Sequence, residues 1–192
     1  MNMETIFDDL PTLETERLIL RKITFDDIED MFEYCSNDEV TKYVTWETHQ
    51  SIAETKEFVK IAHSQYVDKM VAPWAIEYKE NGKMIGTVDF VWWRPAHRNA
   101  EIGCVISQDY WSKGISTEAV KKVLQFGFRK MDLVRIQARC FTENIGSAKV
   151  LEKVGMSFEG ILRKGMFVKG KYPDLKMYSI LREEFFEDEK SK

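Results

Sequence analysis

The stretch AEIGCVISQDYWSKGISTEA, from Ala100 to Ala119, reads as strand, short loop, small-residue turn and helix start. Ala100 to Ser107 carries the apolar density of a strand, and Gln108 to Lys113 is a loop. Gly114 opens a long helix whose buried stripe is Val120, Val123, Leu124, Gly127, Phe128 and Met131. Such a junction makes an anion site. The backbone N–H groups of Ser112 to Thr117 lack helical partners, and the helix dipole adds partial positive charge there. Gly114 and Ser116 are small enough for a pyrophosphate to approach the backbone, and Lys113 adds a full charge. The plain alternative is an ordinary strand-to-helix turn in which Gly114 serves only its φ angle.

Towards the N-terminus, Leu13 to Ile23 reads as one strand, followed by a helix capped at Thr24 with Ile28, Met31, Phe32 and Cys35 on its buried side. Asn37 to Gln50 is expected to be loop. Ser51 and Glu54 form a capping box that opens a second helix to about Val67. Ala72 to Tyr78 and Met84 to Trp93 are strands about the turn Glu80-Asn81-Gly82-Lys83, and Pro95 to Asn99 makes another turn. Beyond the long helix, Val134 to Phe141 is a strand with Val134, Ile136, Ala138 and Cys140 on one face. A short helix from Asn144 to Val154 stops at Gly155. Two closing strands, Ser157 to Val168 and Leu175 to Leu181, flank a turn at Gly170 to Asp174. The order β-α-α-β-β-β-α-β-α-β-β predicts an α+β fold. Hairpins supply antiparallel pairs and the helix crossover after Gly114 a parallel one, so the sheet is mixed and mostly antiparallel.

The 192 residues suit one domain spanning 1–192. No eighteen-residue apolar run suggests a membrane span, and Met1 to Asp9 lacks the pattern of a secretory signal. Cys35, Cys104 and Cys140 are scattered, so neither a disulfide framework nor a metal site is expected, and a reducing cytoplasm is the simplest compartment. The net charge of −4 argues against broad nucleic-acid binding and suits a cationic substrate.

Glu101, Ile102, Gly103, Trp111, Lys113, Gly114, Thr117, Glu118 and Ala119 match the pattern E-I-G-x-x-L…W-x-K-G-x-A-T-E-A. Asn144, Ser147, Val150, Leu151, Glu152, Lys153 and Gly155 match N-x-x-S-x-x-V-L-E-K-x-G-F. With Thr15 to Arg21 and the ending Asp174, Tyr178, Ser179, these blocks resemble the GCN5-related N-acetyltransferase (GNAT) superfamily, in its RimJ/RimL-like ribosomal-protein branch. The resemblance runs from Leu13 to Arg182 and implies a GNAT fold, acetyl-CoA as co-substrate and an amine acceptor. Three positions depart from the pattern: Ser116 replaces a smaller residue, Met156 an aromatic one, and Met166 stands where RimL-like enzymes carry a proposed catalytic glutamate.

Acetyl transfer needs a deprotonated amine, a stabilised thioester oxygen and a tolerated leaving thiolate. Glu101 is the first expectation for the base and Asp89 the fallback; the competing role for Glu101 is to pair with a nearby arginine or to cap a turn. The resemblance implies that backbone N–H groups of Val105, Ile106 and Ser107 hold the thioester and pantetheine arm, and that Lys113, Gly114, Ile115, Ser116 and Thr117 hold the pyrophosphate. Ser147 is a candidate donor to the CoA sulfur. Asn144 either binds pantetheine or caps its helix. Tyr178 and Asp174 are structural or line the substrate. Of Trp92 and Trp93, one ring faces away from the core. The branch implies a protein N-terminus as acceptor. A small amine, such as a polyamine, an antibiotic or an amino-acid derivative, and a non-catalytic CoA-binding module are the alternatives. A homodimer is left open.

Overall fold

The computed structural model describes residues 9–190; the acidic residues 1–8 and the last two lie outside that description. In chain order the elements are β1 (Leu13–Glu14), β2 (Leu18–Lys22), α1 (Ile28–Cys35), α2 (Asp38–Thr41), α3 (Ile52–Val67), β3 (Trp74–Tyr78), β4 (Met84–Arg94) and β5 (Asn99–Ile106). Then follow α4 (Ile115–Arg129), β6 (Arg135–Phe141), α5 (Ile145–Lys153), β7 (Ser157–Leu162), β8 (Leu175–Leu181) and α6 (Arg182–Lys190). The strands form one sheet in the order β1-β2-β3-β4-β5-β6-β8-β7. Every neighbouring pair is antiparallel except β5 and β6, which α4 joins by the expected parallel crossover.

Strand alternation divides the apolar side chains between two layers. On one face Trp74, Phe90, Ile102 and Ile136 pack against Val123, Leu124 and Phe128 of α4. On the other, Ile23, Met31, Val59 and Ala75 pack α1 and α3 against the first half of the sheet. Gly127 lets α4 come close to the sheet: a Cβ there would lie 2.8 Å from Ile136 Cδ1 and 3.1 Å from Phe90 Cζ. Trp74 is fully buried and still satisfies its indole, donating to the Pro11 carbonyl at 2.8 Å.

Several expected boundaries shift, each for a physical reason. Residues 13–23 are two antiparallel strands, because the chain turns at Thr15: Thr15 N donates to Leu18 O, and Leu18 N donates back to Thr15 Oγ1. Residues 37–50 contain α2, capped by Asn37, whose side chain accepts from Glu39 N at 2.9 Å. The reciprocal box at Ser51 does not form; Glu54 instead accepts from the Ser51 hydroxyl and from Gln50 N. Strand β7 ends at Leu162, where Lys164 adopts φ +50 and residues 163–174 leave the sheet. That loop folds on itself at Lys169-Gly170, both with positive φ, so its turn overlaps only the start of the expected Gly170 to Asp174 segment. Val134 lies outside β6 and is exposed. Helix α6, unexpected from the apolar pattern, buries Phe185 against Phe128.

Candidate active site

Strands β5 and β6 pair only over Asn99–Glu101 and Arg135–Gln137. Beyond that point β5 stays with β4 as far as Ile106, while β6 stays with β8 as far as Phe141. The sheet therefore opens into a wedge whose apex is at Glu101. Backbone groups on a strand alternate between its two neighbours. Ser107 N donates to Ile85 O of β4 at 2.7 Å, so Val105 also faces β4, and Cys104 and Ile106 turn their amides into the wedge. Of the expected trio Val105, Ile106 and Ser107, Ile106 turns its N–H to the opening, and Cys104 does the same. The Ile106 carbonyl is closed by Trp111, whose Nε1 donates to it at 2.9 Å.

Helix α4 starts at the wide end of the wedge. Gly114 is its N-cap with φ +76, a conformation that strains any other residue. The first helical bond is Glu118 N to Gly114 O, leaving the amides of Gly114, Ile115, Ser116 and Thr117 outside the helical ladder. Glu118 would oppose an anion here, but it is neutralised. Its carboxylate accepts from Thr15 Oγ1 at 2.6 Å, Arg17 N at 2.9 Å and Arg17 Nε at 2.7 Å. Burial pushes the Glu118 carboxyl up, but these bonds outweigh it and hold the group below its ordinary range. Arg17 Nη1 also donates to Lys113 O at 2.9 Å, bracing the turn. Two separate sequence blocks, Thr15–Arg21 and Thr117–Ala119, thus form one structural unit. The Lys113 ammonium lies 5.3 Å over the Tyr110 ring.

On the face towards α1 and α3, the wedge carries polar groups. Val88 and Phe90 belong to the α4 layer, so Thr87 and Asp89 point the other way. Asp89 lies opposite Gly103, where a Cβ would stand 3.1 Å from Asp89 Oδ1. Among the described residues the Asp89 carboxylate accepts no hydrogen bond and forms no ion pair. The residue is half-buried, and the loss of water around its carboxylate pushes its pKa up to about 7. Glu101 shares this face but is engaged on both oxygens. Oε1 accepts from Arg139 Nε at 2.8 Å and pairs with Arg139 Nη2 at 2.6 Å, while Oε2 accepts from Gln137 Nε2 at 2.8 Å. Arg139 and Gln137 were legible only as the polar phase of β6, opposite Ile136, Ala138 and Cys140.

The other wall is β6 with α5. Asn144 caps α5, its Oδ1 accepting from Ser147 N at 3.0 Å. The Ser147 hydroxyl adjoins the Cys140 thiol, whose pKa burial raises. Tyr178 donates to Glu152 Oε1 at 3.1 Å and fastens β8 to α5. Asp174 accepts from Lys164 N at 2.8 Å, ordering the 163–174 loop. Met166 lies half-buried in that loop. Trp92 stacks with Arg94, whose guanidinium lies 4.7 Å from the ring centroid. Among the described residues, no cluster of three His, Cys, Asp or Glu side chains is placed to hold a metal.

A wedge ending at a bare helix N-terminus suits a thioester with a pyrophosphate tail, and the family comparison agrees. Residues 17–157 match the Acetyltransferase (GNAT) domain. The chain belongs to the GNAT acetyltransferase family. It is 40% identical over 172 residues to the N-acetyltransferase YoaA of Bacillus subtilis, covering 90% of this chain and 97% of that one. A GNAT-family acetyltransferase structure from Bacillus anthracis superposes with TM-score 0.81 at 32% identity, covering 90% and 99% of the two chains. The spermidine N(1)-acetyltransferase of Escherichia coli is 25% identical over 173 residues, 90% of each chain. This GNAT protein is therefore an acetyl-CoA-dependent N-acetyltransferase. Among the described residues, no helix is long and apolar enough to cross a membrane.

Proposed function

We propose that this GNAT enzyme acetylates protein N-terminal α-amines by direct attack, with Asp89 rather than Glu101 as the general base. The observation that carries the reading is the unpartnered Asp89 carboxylate beside the wedge, with a pKa of about 7. An α-ammonium has a pKa of about 7.7–8.0, so its proton passes to Asp89 uphill by about one unit, roughly 1.4 kcal/mol. A lysine or polyamine ammonium near 10.4 faces more than three units, roughly 4.6 kcal/mol. Glu101, already holding Arg139 and Gln137, anchors β6 at the apex of the wedge.

In this assignment the amides of Gly114, Ile115, Ser116 and Thr117, with Lys113, hold the pyrophosphate, and Arg17 offsets the charge of Glu118. Asn144 caps α5 and keeps its Nδ2 for the pantetheine arm. Asp89 first takes one ammonium proton, freeing the lone pair, and the neutral nitrogen then bonds to the acetyl carbon. The Cys104 and Ile106 amides face the oxygen that gains charge; losing one such donor typically costs about 2.7–4 kcal/mol. As the C–S bond breaks, the second amine proton passes to the leaving sulfur, which departs as the thiol, and Ser147 donates a hydrogen bond to that sulfur. Residues 1–192 act as one catalytic domain. The unpaired thiols of Cys35, Cys104 and Cys140 suit a cytoplasmic location.

A polyamine acceptor is the second reading, favoured by the likeness to the E. coli spermidine enzyme. CoA release measured with N-terminal peptides and with spermidine separates the two. Turnover of free-N-terminus peptides but not of N-acetylated controls is expected. Turnover of spermidine alone would overturn the N-terminal reading.

A further inference from the structure

At the wide end of the wedge, residues 163–174 leave the sheet as a loop whose footing is fixed. Val168 and Lys171 bridge across its turn, and Val168 is buried. The Asp174 carboxylate accepts from Lys164 N at 2.8 Å, and the Asp174 carbonyl accepts from Thr142 N at 3.2 Å. Lys169 Nζ donates to the Thr41 carbonyl, at the end of α2, at 2.6 Å. Just beyond α2, Tyr43 meets the Phe141 ring edge-on, with centroids 6.0 Å apart. Helix α2 follows α1, which packs on the sheet face that carries Asp89. The loop is therefore tied to the acceptor side of the wedge, whereas α4 and α5 pack on the opposite face.

The loop surface has a chemistry of its own. Arg163, Lys164, Lys169 and Lys171 stand against the single carboxylate Asp174, although the whole chain has a net charge of −4. Arg163, Lys164 and Lys171 are exposed, and among the described residues their side chains form no ion pair or hydrogen bond. Glu143, next to Thr142 at the foot of the loop, offsets at most one of these charges. The acids of α2, Asp38 and Glu39, stand at its other end, where Asn37 Nδ2 donates to Gln108. Phe167 and Tyr172 are 64% and 60% exposed and stack on each other at 4.8 Å. Phe141, at the foot of the loop, lies two strands from Asp89 and about two residues further along the sheet, on the order of 12 Å. An extended peptide advances about 3.3–3.6 Å per residue. With its α-amine at Asp89, a peptide brings its fourth and later residues to this loop, because α1 and α3 cover the sheet on the other side.

We infer that the 163–174 loop docks the segment behind the acceptor amine and selects segments rich in carboxylates. Arg163, Lys164 and Lys171 meet the carboxylates, and the Phe167–Tyr172 pair seats an apolar side chain between them. The inference rests on the N-terminal reading of the acceptor.

The test uses the full chain and octapeptides that share their first three residues and carry Glu, Gln or Lys at positions four to six. In low salt the Glu peptide should exceed the Lys peptide about tenfold in kcat/KM, through KM, and salt at about 500 mM should close most of the gap by screening. Changing Arg163, Lys164 and Lys171 together to Gln should remove the preference, and changing them together to Glu should reverse it, with the Kd for acetyl-CoA unchanged. Phe167→Ser with Tyr172→Ser should raise KM for all three peptides alike. Equal kcat/KM for the three peptides, or a preference that survives the triple Gln variant, would overturn the role of the loop and leave the N-terminal reading intact. Turnover of spermidine with no peptide acetylated would overturn both. Binding of a single-stranded RNA oligonucleotide that the triple Gln variant loses, with no charge preference among the peptides, would overturn the acidic peptide as occupant in favour of nucleic acid.

Discussion

Asp89 and Glu101 sit on adjacent strands with the same functional group and opposite surroundings. Glu101 is held by a guanidinium and an amide, whereas Asp89 is ringed by strand and has neither. Asp89→Asn should lower turnover about 10²–10⁴-fold while leaving acetyl-CoA affinity nearly unchanged, and it should abolish the rise in rate centred near pH 7. A stopped assay across pH 5.5–9 checks this; an unaltered profile would reject Asp89. Glu101→Gln should behave differently. It breaks the pair with Arg139, which is about a quarter exposed, so a loss of about 1–3 kcal/mol of stability is expected, below that of a fully buried pair. The rate limb near pH 7 should remain. Urea denaturation, combined in a double-mutant cycle with Arg139→Ala, measures the coupling; a vanished limb would return the base to Glu101.

Helix α4 shows how an element becomes an anion site by being left incomplete at one end. Its apolar stripe is covered by the sheet, while its first amides have no helical acceptor and its only early carboxylate is tied to Thr15 and Arg17. Gly114→Glu should weaken acetyl-CoA binding sharply, because it adds both charge repulsion and strain at φ +76. Arg17→Ala should weaken binding by a further route, since it frees the charge of Glu118 and loosens the carbonyl of Lys113. Calorimetric titration should show the Kd rising in both, and an unchanged Kd in folded Gly114→Glu would remove the turn from the site. For α5, Ser147→Ala keeps the bond from Ser147 N to Asn144 and so keeps the cap. Turnover should fall with little change in Kd; wild-type turnover would leave Ser147 only the helix start.

Across the whole molecule, the wedge and the charged face set opposing pH trends. The Asp89 pKa is raised, so its contribution to stability is complete below the unfolded value and is lost as pH rises towards 7, by no more than about 4 kcal/mol. Arg135 and Ser179 hold Glu159 down to about 2. In Asp27 the bonds from Arg21 and Thr24 outweigh the upward push of burial. Both contribute stability that is lost as pH falls below the ordinary carboxylate range. Stability should therefore peak near pH 5, and Asp89→Asn should remove the decline between pH 5 and 8. Thermal melts of both forms at three pH values check the sign. Acetyl-CoA at 100 times its Kd should add about 2.7 kcal/mol, roughly 5–10 °C of melting temperature for a chain of this size. Hydrogen exchange should slow most at Cys104 and Ile106, the amides turned into the wedge.

Much of this was decided by local patterning. The alternation of β3 to β6, the α4 stripe from Val120 to Phe128, the Asn144 cap and the Gly155 stop are set by contacts a few residues apart, so the chain alone determined them, whereas Met131 lies beyond the helix end at Arg129. The acetyl-CoA turn was legible for the same reason: a helix start with a left-handed glycine is a local event. The base was not. Asp89 and Glu101 look alike as residues in a strand, and only pairing across β4, β5 and β6 gave one a cation and left the other without. The tie of Thr15 to Glu118, about a hundred residues away, likewise formed only in the fold. Backbone form followed from neighbours in sequence; the surroundings of each carboxylate followed from neighbours in space.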